Sequence, residues 1–254
     1  LTAAFAAAAD AALDAILSGT TRSSENRARD VYRHPAETLA FFGLKPDQTV
    51  VEISPGGGWY TEILAPYLRD HGKLVAAHFP ADSKADYAQK SITAFKAKLG
   101  AEPAVYDRVV LTPFMPPDTL DLGPAASADL VVTFRNVHNW LKDGGEAKVF
   151  KAAFAALKPG GVFGVVDHRA NPGTTREQSL ASGYTTEQLV IDAAQAAGFV
   201  LDAKSEINAN PKDTKDYPKG VWTLPPRLVQ GEQDKEKYLA IGESDRMTLR
   251  FRKP

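Results

Sequence analysis

The chain has 254 residues, 44% of them apolar and 24% charged, and a formal net charge of −1, the make-up of one globular domain with additions. No window holds the roughly 18 uninterrupted apolar residues of a membrane-spanning helix. The absence of cysteine excludes disulfides, thiolate nucleophiles and cysteine-ligated metals.

Residues 2–18 read as a helix by propensity, with Phe5, Leu13, Ile16 and Leu17 as an apolar stripe that must dock on something. Ser23 and Ser24 can cap a second helical stretch, carrying Arg27, Arg29 and Asp30. His34-Pro35 breaks the run, and a short helix over about 36–42 ends at Gly43. The pattern then changes. Thr49–Ile53 is a short β-branched run bounded by turn residues, as a buried strand should be. Similar runs recur at Lys73–Ala77, Arg108–Leu111, Asp129–Thr133 and Val162–Val166. Helical patterns lie between them, at Tyr60–Arg69, about Ala85–Lys98 and Glu146–Leu157. A further helix at Thr186–Ala197 precedes two more strands, Phe199–Ile207 and Arg246–Arg252. Alternation of this kind implies right-handed crossovers and a doubly wound, mostly parallel sheet. The division expected is a helical cap over residues 1–43 and one compact α/β domain over 44–254. The long connection from Asn208 to Ser244 contains Tyr217, Val221, Trp222 and Leu224, so it is expected to pack down rather than hang free.

The first strand runs into Glu52-Ile53-Ser54-Pro55-Gly56-Gly57-Gly58-Trp59-Tyr60 and opens a helix. Glycine permits the sharp reversal and the close ligand approach needed there. About 100 residues later Leu157-Lys158-Pro159-Gly160-Gly161 leads into the fifth strand. Together these elements resemble a class I S-adenosylmethionine-dependent methyltransferase, over about residues 44–252. The chain further resembles a branch of bacterial methyltransferases whose members often carry export signals. The segments that carry this likeness are Ser54–Tyr60, Phe134–Trp140, Asp167–Arg169 and Gly242–Arg246.

The resemblance implies a seven-stranded sheet with an antiparallel last strand, and S-adenosylmethionine as cofactor. It places Glu52 on the methionine ammonium, with Ser54, Gly56, Gly57 and Gly58 forming the cradle. Tyr60 and Arg135 are expected to wall the cofactor, and Phe114 to line its adenine. His78 falls where the family's second strand usually ends in an acid that grips the ribose; an imidazole cannot act as a bidentate carboxylate.

Chemistry is expected in the segment after the fourth strand. His138 is the candidate general base, because imidazole titrates near neutral pH. Asn136 and Asn139 would orient a substrate, and Trp140 would stack on it. His168, after the fifth strand, would face His138; no metal is expected, since no ligand spacing supports one. Arg169 is a candidate carboxylate or phosphate ligand. The helices from Arg27 to His34 would form a lid. Asp245 and Arg246 would make a structural ion pair.

The function expected is methyl transfer to a small molecule. The rival is a non-catalytic binding protein on the same fold that has lost standard cofactor binding, favoured by His78. A nicotinamide-dependent oxidoreductase fits poorly, since Gly56-x-Gly58 is followed by Thr61 and His78 replaces the required acid. A hydrolase fits poorly because Ser54 lacks the Gly-x-Ser-x-Gly elbow. Scattered basic residues disfavour a nucleic-acid partner. A start at Leu1, without Met, and the lack of cysteine lean towards an exported, periplasmic protein, with the cytoplasm as the alternative.

Overall fold

A computed structural model describes residues 10–254. The expected first helix begins at α1 (Ala11–Ser18), capped by Asp10; the stretch before it, with Phe5, lies outside the described residues. Three short helices follow: α2 (Ser24–Arg27), α3 (Asp30–Arg33) and α4 (Pro35–Phe42). The alternating part then runs β1 (Thr49–Ile53), α5 (Thr61–Leu68), β2 (Lys73–His78), α6 (Asp86–Ala101), α7 (Pro103–Tyr106), β3 (Val110–Met115), β4 (Thr119–Leu120) and β5 (Ala128–Phe134). It continues through α8 (Val137–Trp140), α9 (Gly145–Ala156), β6 (Leu157–His168), α10 (Arg176–Ser182), α11 (Glu187–Ala197), β7 (Val200–Ser205), α12 (Lys235–Ile241) and β8 (Arg246–Arg252).

These strands form one sheet in the order β4-β3-β2-β1-β5-β6-β8-β7. Strands β1, β2, β3, β5 and β6 are parallel, whereas β8 is antiparallel to both β6 and β7. The eighth strand, beyond the seven expected, is the two-residue β4, antiparallel to the end of β3. The order reverses between β1 and β5. Ligands of open α/β sheets bind outside the carboxyl ends of the strands at such a point.

Period-two alternation sends successive residues of β1 to opposite faces. Val51 and Ile53 join one buried cluster with Phe163, Leu249 and Phe251, while Val50 joins the other with Leu64, Leu130 and Val132. Leu13, Leu39 and Phe42 from the N-terminal helices belong to that second cluster. Each such side chain contributes roughly 1.5–3 kcal/mol when fully buried.

Two strands depart clearly from their expected bounds. One is β6, which begins at Leu157, ahead of the expected Val162, and takes in the turn expected at Leu157–Gly161. The other is the third strand, read as Arg108–Leu111, but β3 starts at Val110 and runs to Met115. Its burial is weak and irregular until Phe114, so hydrophobic pattern alone sets its register poorly. The 208–244 connection does pack down, with Val221 and Leu224 buried.

Candidate functional site

The carboxyl ends of β1 and β5 lie side by side, and both turn through the left-handed region on a non-glycine residue. Ser54 has φ 53° and Arg135 φ 62°. Such backbone costs of order 1–3 kcal/mol and is retained where the surroundings hold it in place. Here Ser54 N–H donates to Ala77 O, and Arg135 N–H donates to Val166 O. Asn136 braces the junction from the side: its Nδ2 donates to Ile53 O at 3.2 Å, Ser54 O at 3.3 Å and Thr133 Oγ1 at 3.1 Å. Two carbonyl partners fix this orientation of the amide, since carbonyls only accept. Asn136 therefore spends its donors on the turn rather than on a reacting group, although it borders the cleft.

Two cavities flank the turn. The first, about 360 Å³, has Glu52, Gly57, Tyr60, His138 and His168 in its wall. The second, about 780 Å³, lies towards β2 and β3, between His78, Phe79, Met115 and Trp140. Ser54, Gly56, Asn136 and Asn139 border both, so the cavities meet at the turn. The glycines divide their work. A Cβ on Gly58, where φ is 82°, would stand 3.0 Å from Phe95, so Gly58 serves packing and backbone shape. A Cβ on Gly56 or Gly57 would meet nothing within 4 Å. That open cradle, and not the run of glycines as such, is the ligand-facing feature.

Glu52 lies at the floor, 2% exposed, accepting from Thr61 Oγ1 at 2.7 Å. Burial pushes its carboxyl up to about 7, only partly offset by Thr61 and Lys98. Tyr60 stacks on Phe134 with ring centroids 3.4 Å apart, and its buried hydroxyl is pushed up to about 12. Phe114, expected on the adenine, is fully buried against Trp140, because β3 runs past it and leaves Met115, Pro116 and Pro117 at the cavity. Trp140 is itself a core residue, 5% exposed.

His78 reaches the expected place, at the end of β2, but both its ring nitrogens are engaged. Phe79 N–H donates to Nδ1 at 2.7 Å, which leaves Nε2 to donate to Gly56 O at 3.1 Å. Burial holds its pKa below the ordinary imidazole value. It braces the glycine turn from the wall of the second cavity.

On the other side of the turn, α8 and β6 bring His138, Asp167 and His168 together. Asp167 is fully buried and accepts twice from His138, from the backbone N–H at 3.0 Å and from Nδ1 at 2.9 Å. A carboxylate partner puts the proton on Nδ1 and the lone pair on Nε2. The His168 ring lies 5.0 Å from that of His138, and its Nδ1 meets Ser244 Oγ. Burial, His138 and the nearby arginines hold the His168 pKa well below its ordinary value. Ligand atoms of His138, Asp167 and His168 lie within 4.8 Å of one another. Each Asp167 oxygen already accepts one hydrogen bond from His138, which leaves the pair built as a base and its orienting carboxylate. Sequence reasoning missed the hydrogen-bonded partner: His138 faces His168 as expected, but its ring nitrogen bonds to Asp167.

Two other expectations are corrected. Arg169 is spent on Asp245, Glu187 and Glu206, an internal ion network rather than a ligand site. Asp245 pairs with Arg169 and Lys215, not Arg246. Arg246 instead joins Arg29 and Arg33 around Glu243. Burial alone would raise the Glu243 carboxyl, but Arg246 and Arg33 hold it well below the usual range. Asn26, Arg29 and Arg33, from the N-terminal helical segment, line part of the first cavity beside Arg135 from the end of β5.

Neither a protein-family model nor a curated protein matches this sequence. Solved structures share its fold. A SAM-dependent methyltransferase from Aquifex aeolicus is 18% identical, with a TM-score of 0.54 over 71% of this chain and 87% of its own. An arsenic(III) S-adenosylmethionine methyltransferase from Chlamydomonas reinhardtii is 13% identical, with a TM-score of 0.54 over 96% of this chain and 74% of its own. The [4+2]-cyclase SpnF is 15% identical, with a TM-score of 0.60 over 93% of this chain and 86% of its own. The chain has the class I methyltransferase fold.

Proposed function

We propose that the protein is an S-adenosylmethionine-dependent methyltransferase acting on a small molecule. The observation that carries this reading is the open cradle of Gly56 and Gly57, placed between two joined cavities with a buried carboxylate at its floor. Glu52 suits an ammonium group, and the apolar slot between Phe79, Met115 and Pro116 suits a flat base. When bound, S-adenosylmethionine supplies an electrophilic methyl group on a positively charged sulfur. The protein's part is to hold the acceptor in line and remove its proton. His138 Nε2 would take the proton from the acceptor's oxygen or nitrogen as that atom is methylated. Asp167 then stabilises the imidazolium. Kinship with the exported bacterial branch belongs to the same reading, and rests on the likeness of Ser54–Tyr60, Phe134–Trp140, Asp167–Arg169 and Gly242–Arg246.

A second reading, a binding protein on a repurposed fold, is favoured by one observation: His78 has no free nitrogen to offer a ribose. SpnF, described as a cyclase, is a reminder that fold does not fix chemistry. Calorimetric titration with S-adenosylmethionine and S-adenosylhomocysteine separates the two. Gly57→Val is the informative variant, since it fills the cradle without the backbone strain that φ 59° imposes at Gly56. Saturable binding lost in Gly57→Val supports the enzyme. No binding up to millimolar ligand overturns it.

A further inference from the structure

Four arginines converge on one wall of the first cavity. Arg29 and Arg33 come from the N-terminal helices, Arg135 from the end of β5 and Arg246 from the start of β8. Glu243 answers three of them, through Arg29 Nε at 2.6 Å, Arg33 Nε at 3.0 Å and Arg246 Nη2. The Arg135 side chain makes no hydrogen bond or ion pair among the described residues, although its backbone is twisted into the left-handed region that turns it to the cavity.

This wall is electrostatically incomplete. Arg33 and Arg246 are 1% and 2% exposed. Even so, Arg33 Nη1, Arg246 Nε and Arg29 Nη2 are buried without a hydrogen-bond partner. Burial, then Arg135, lowers the Arg33 pKa to about 8; burial, then Arg246, lowers that of Arg135 to about 10. Crowded like charges and unmet donors are costly, and packed interiors avoid them. Here the residues that carry them line a cavity.

The wall also has a definite side. Arg246 is the register partner of His168 across β6 and β8, and Arg135 follows the last residue of β5. Both belong to the histidine side of the turn, away from His78 and β2. We infer that the methyl acceptor carries an oxyanion, a carboxylate or phosphate, held by Arg33, Arg135 and Arg246 while its nucleophile faces His138. Guanidinium forks match both groups in a bidentate manner. The assignment moves Arg135 from the cofactor to the acceptor, and it rests on the methyltransferase reading. The cofactor's own carboxylate is the other source of the same chemistry.

Benzoate and phenyl phosphate are titrated into the full chain, alone and with S-adenosylhomocysteine, for the wild type, Arg135→Gln and the exposed control Arg252→Gln. Saturable binding of at least one anion is expected with S-adenosylhomocysteine present. Arg135→Gln should weaken it at least tenfold while changing S-adenosylhomocysteine affinity less than threefold, and the control should change neither. Because the Arg135 side chain makes no internal bond, the variant should fold; Arg29→Gln tests the same wall independently and should weaken the anion at least threefold. Failure of both anions to bind, or unchanged anion affinity in both variants, overturns the inference. So does mutual displacement of anion and S-adenosylhomocysteine with loss of the latter in Arg135→Gln, which gives the wall to the cofactor. Cofactor binding without anion binding leaves the methyltransferase reading intact. Anion binding that Arg135→Gln weakens, with no cofactor binding, removes the methyltransferase reading and keeps the oxyanion site.

Discussion

The two sides of the cleft are built on opposite principles. Towards β2, the polar groups are satisfied from within: His78 spends one nitrogen on Phe79 and the other on Gly56, and Asn136 spends its donors on the turn. Towards β6 and β8, a crowd of guanidinium groups shares one carboxylate and leaves buried donors unmet. The first side can recognise a ligand mainly by shape and by close backbone approach. The second can recognise one by charge. Unmet donors and crowded like charges lie on the second side, while buried Glu52 carries its own desolvation cost at the floor.

The sharpest way to break this comparison is Asp167→Asn. A neutral amide cannot hold the Nδ1 proton of His138 in the same way, so the base loses its tautomer. Turnover with an acceptor found by screening should fall by about 10²–10⁴, while S-adenosylhomocysteine affinity stays within threefold. An unchanged rate would remove His138 from the chemistry.

Glu243→Gln comes next. It strips the arginine wall of the one carboxylate its members share, and losing one member of a buried charge set costs about 3–5 kcal/mol. Denaturant unfolding should show that loss, and added phosphate should restore part of it more effectively than chloride of equal ionic strength. Equal effects of the two salts would mean that the wall has no anion site.

Glu52→Gln tests the floor. The folded-state pKa of about 7 lies above the unfolded value near 4.5. The wild type therefore keeps its full stability below about pH 4.5, loses it as pH rises to about 7, and changes no further on this account. The variant should lack that decline and be more stable above pH 7 by on the order of 1–3 kcal/mol. In the wild type, affinity for the cofactor's ammonium should tighten as pH rises through about 7. Parallel melting profiles would contradict the burial of an ionisable group there.

The smallest effect belongs to His78→Ala. Loss of one hydrogen bond at the turn should cost about 1 kcal/mol and weaken S-adenosylhomocysteine several-fold. A hundredfold loss would mean that His78 touches the ligand after all.

Much of the scaffold was legible from residue pattern. The buried strands read as short β-branched runs, and Arg246–Arg252 falls at its expected bounds because both ends carry turn residues. The third strand was misplaced since Val110–Pro113 is largely exposed and gives no alternation, and that slip carried Phe114 wrongly into the site. The two-residue β4 is too short for any periodicity. Within the site, Glu52, the glycine turn and His138 could be found because a local motif marks each. The Asp167 pairing spans 29 residues and the Arg29–Glu243 pairing 214. Nothing in either neighbourhood announces the other, so only the folded chain shows them.

Trp59, held between Arg22 at 5.0 Å and Arg33 at 4.7 Å, borders the first cavity. Trp222 borders it too, and Trp140 borders the second. The chain has three tryptophans in all, so every indole lies on the cleft. Tryptophan emission, excited beyond the tyrosine band, therefore reports on the cleft alone. An anion that draws Arg33 away from Trp59 should change that emission, giving an optical signal for ligand entry without any label.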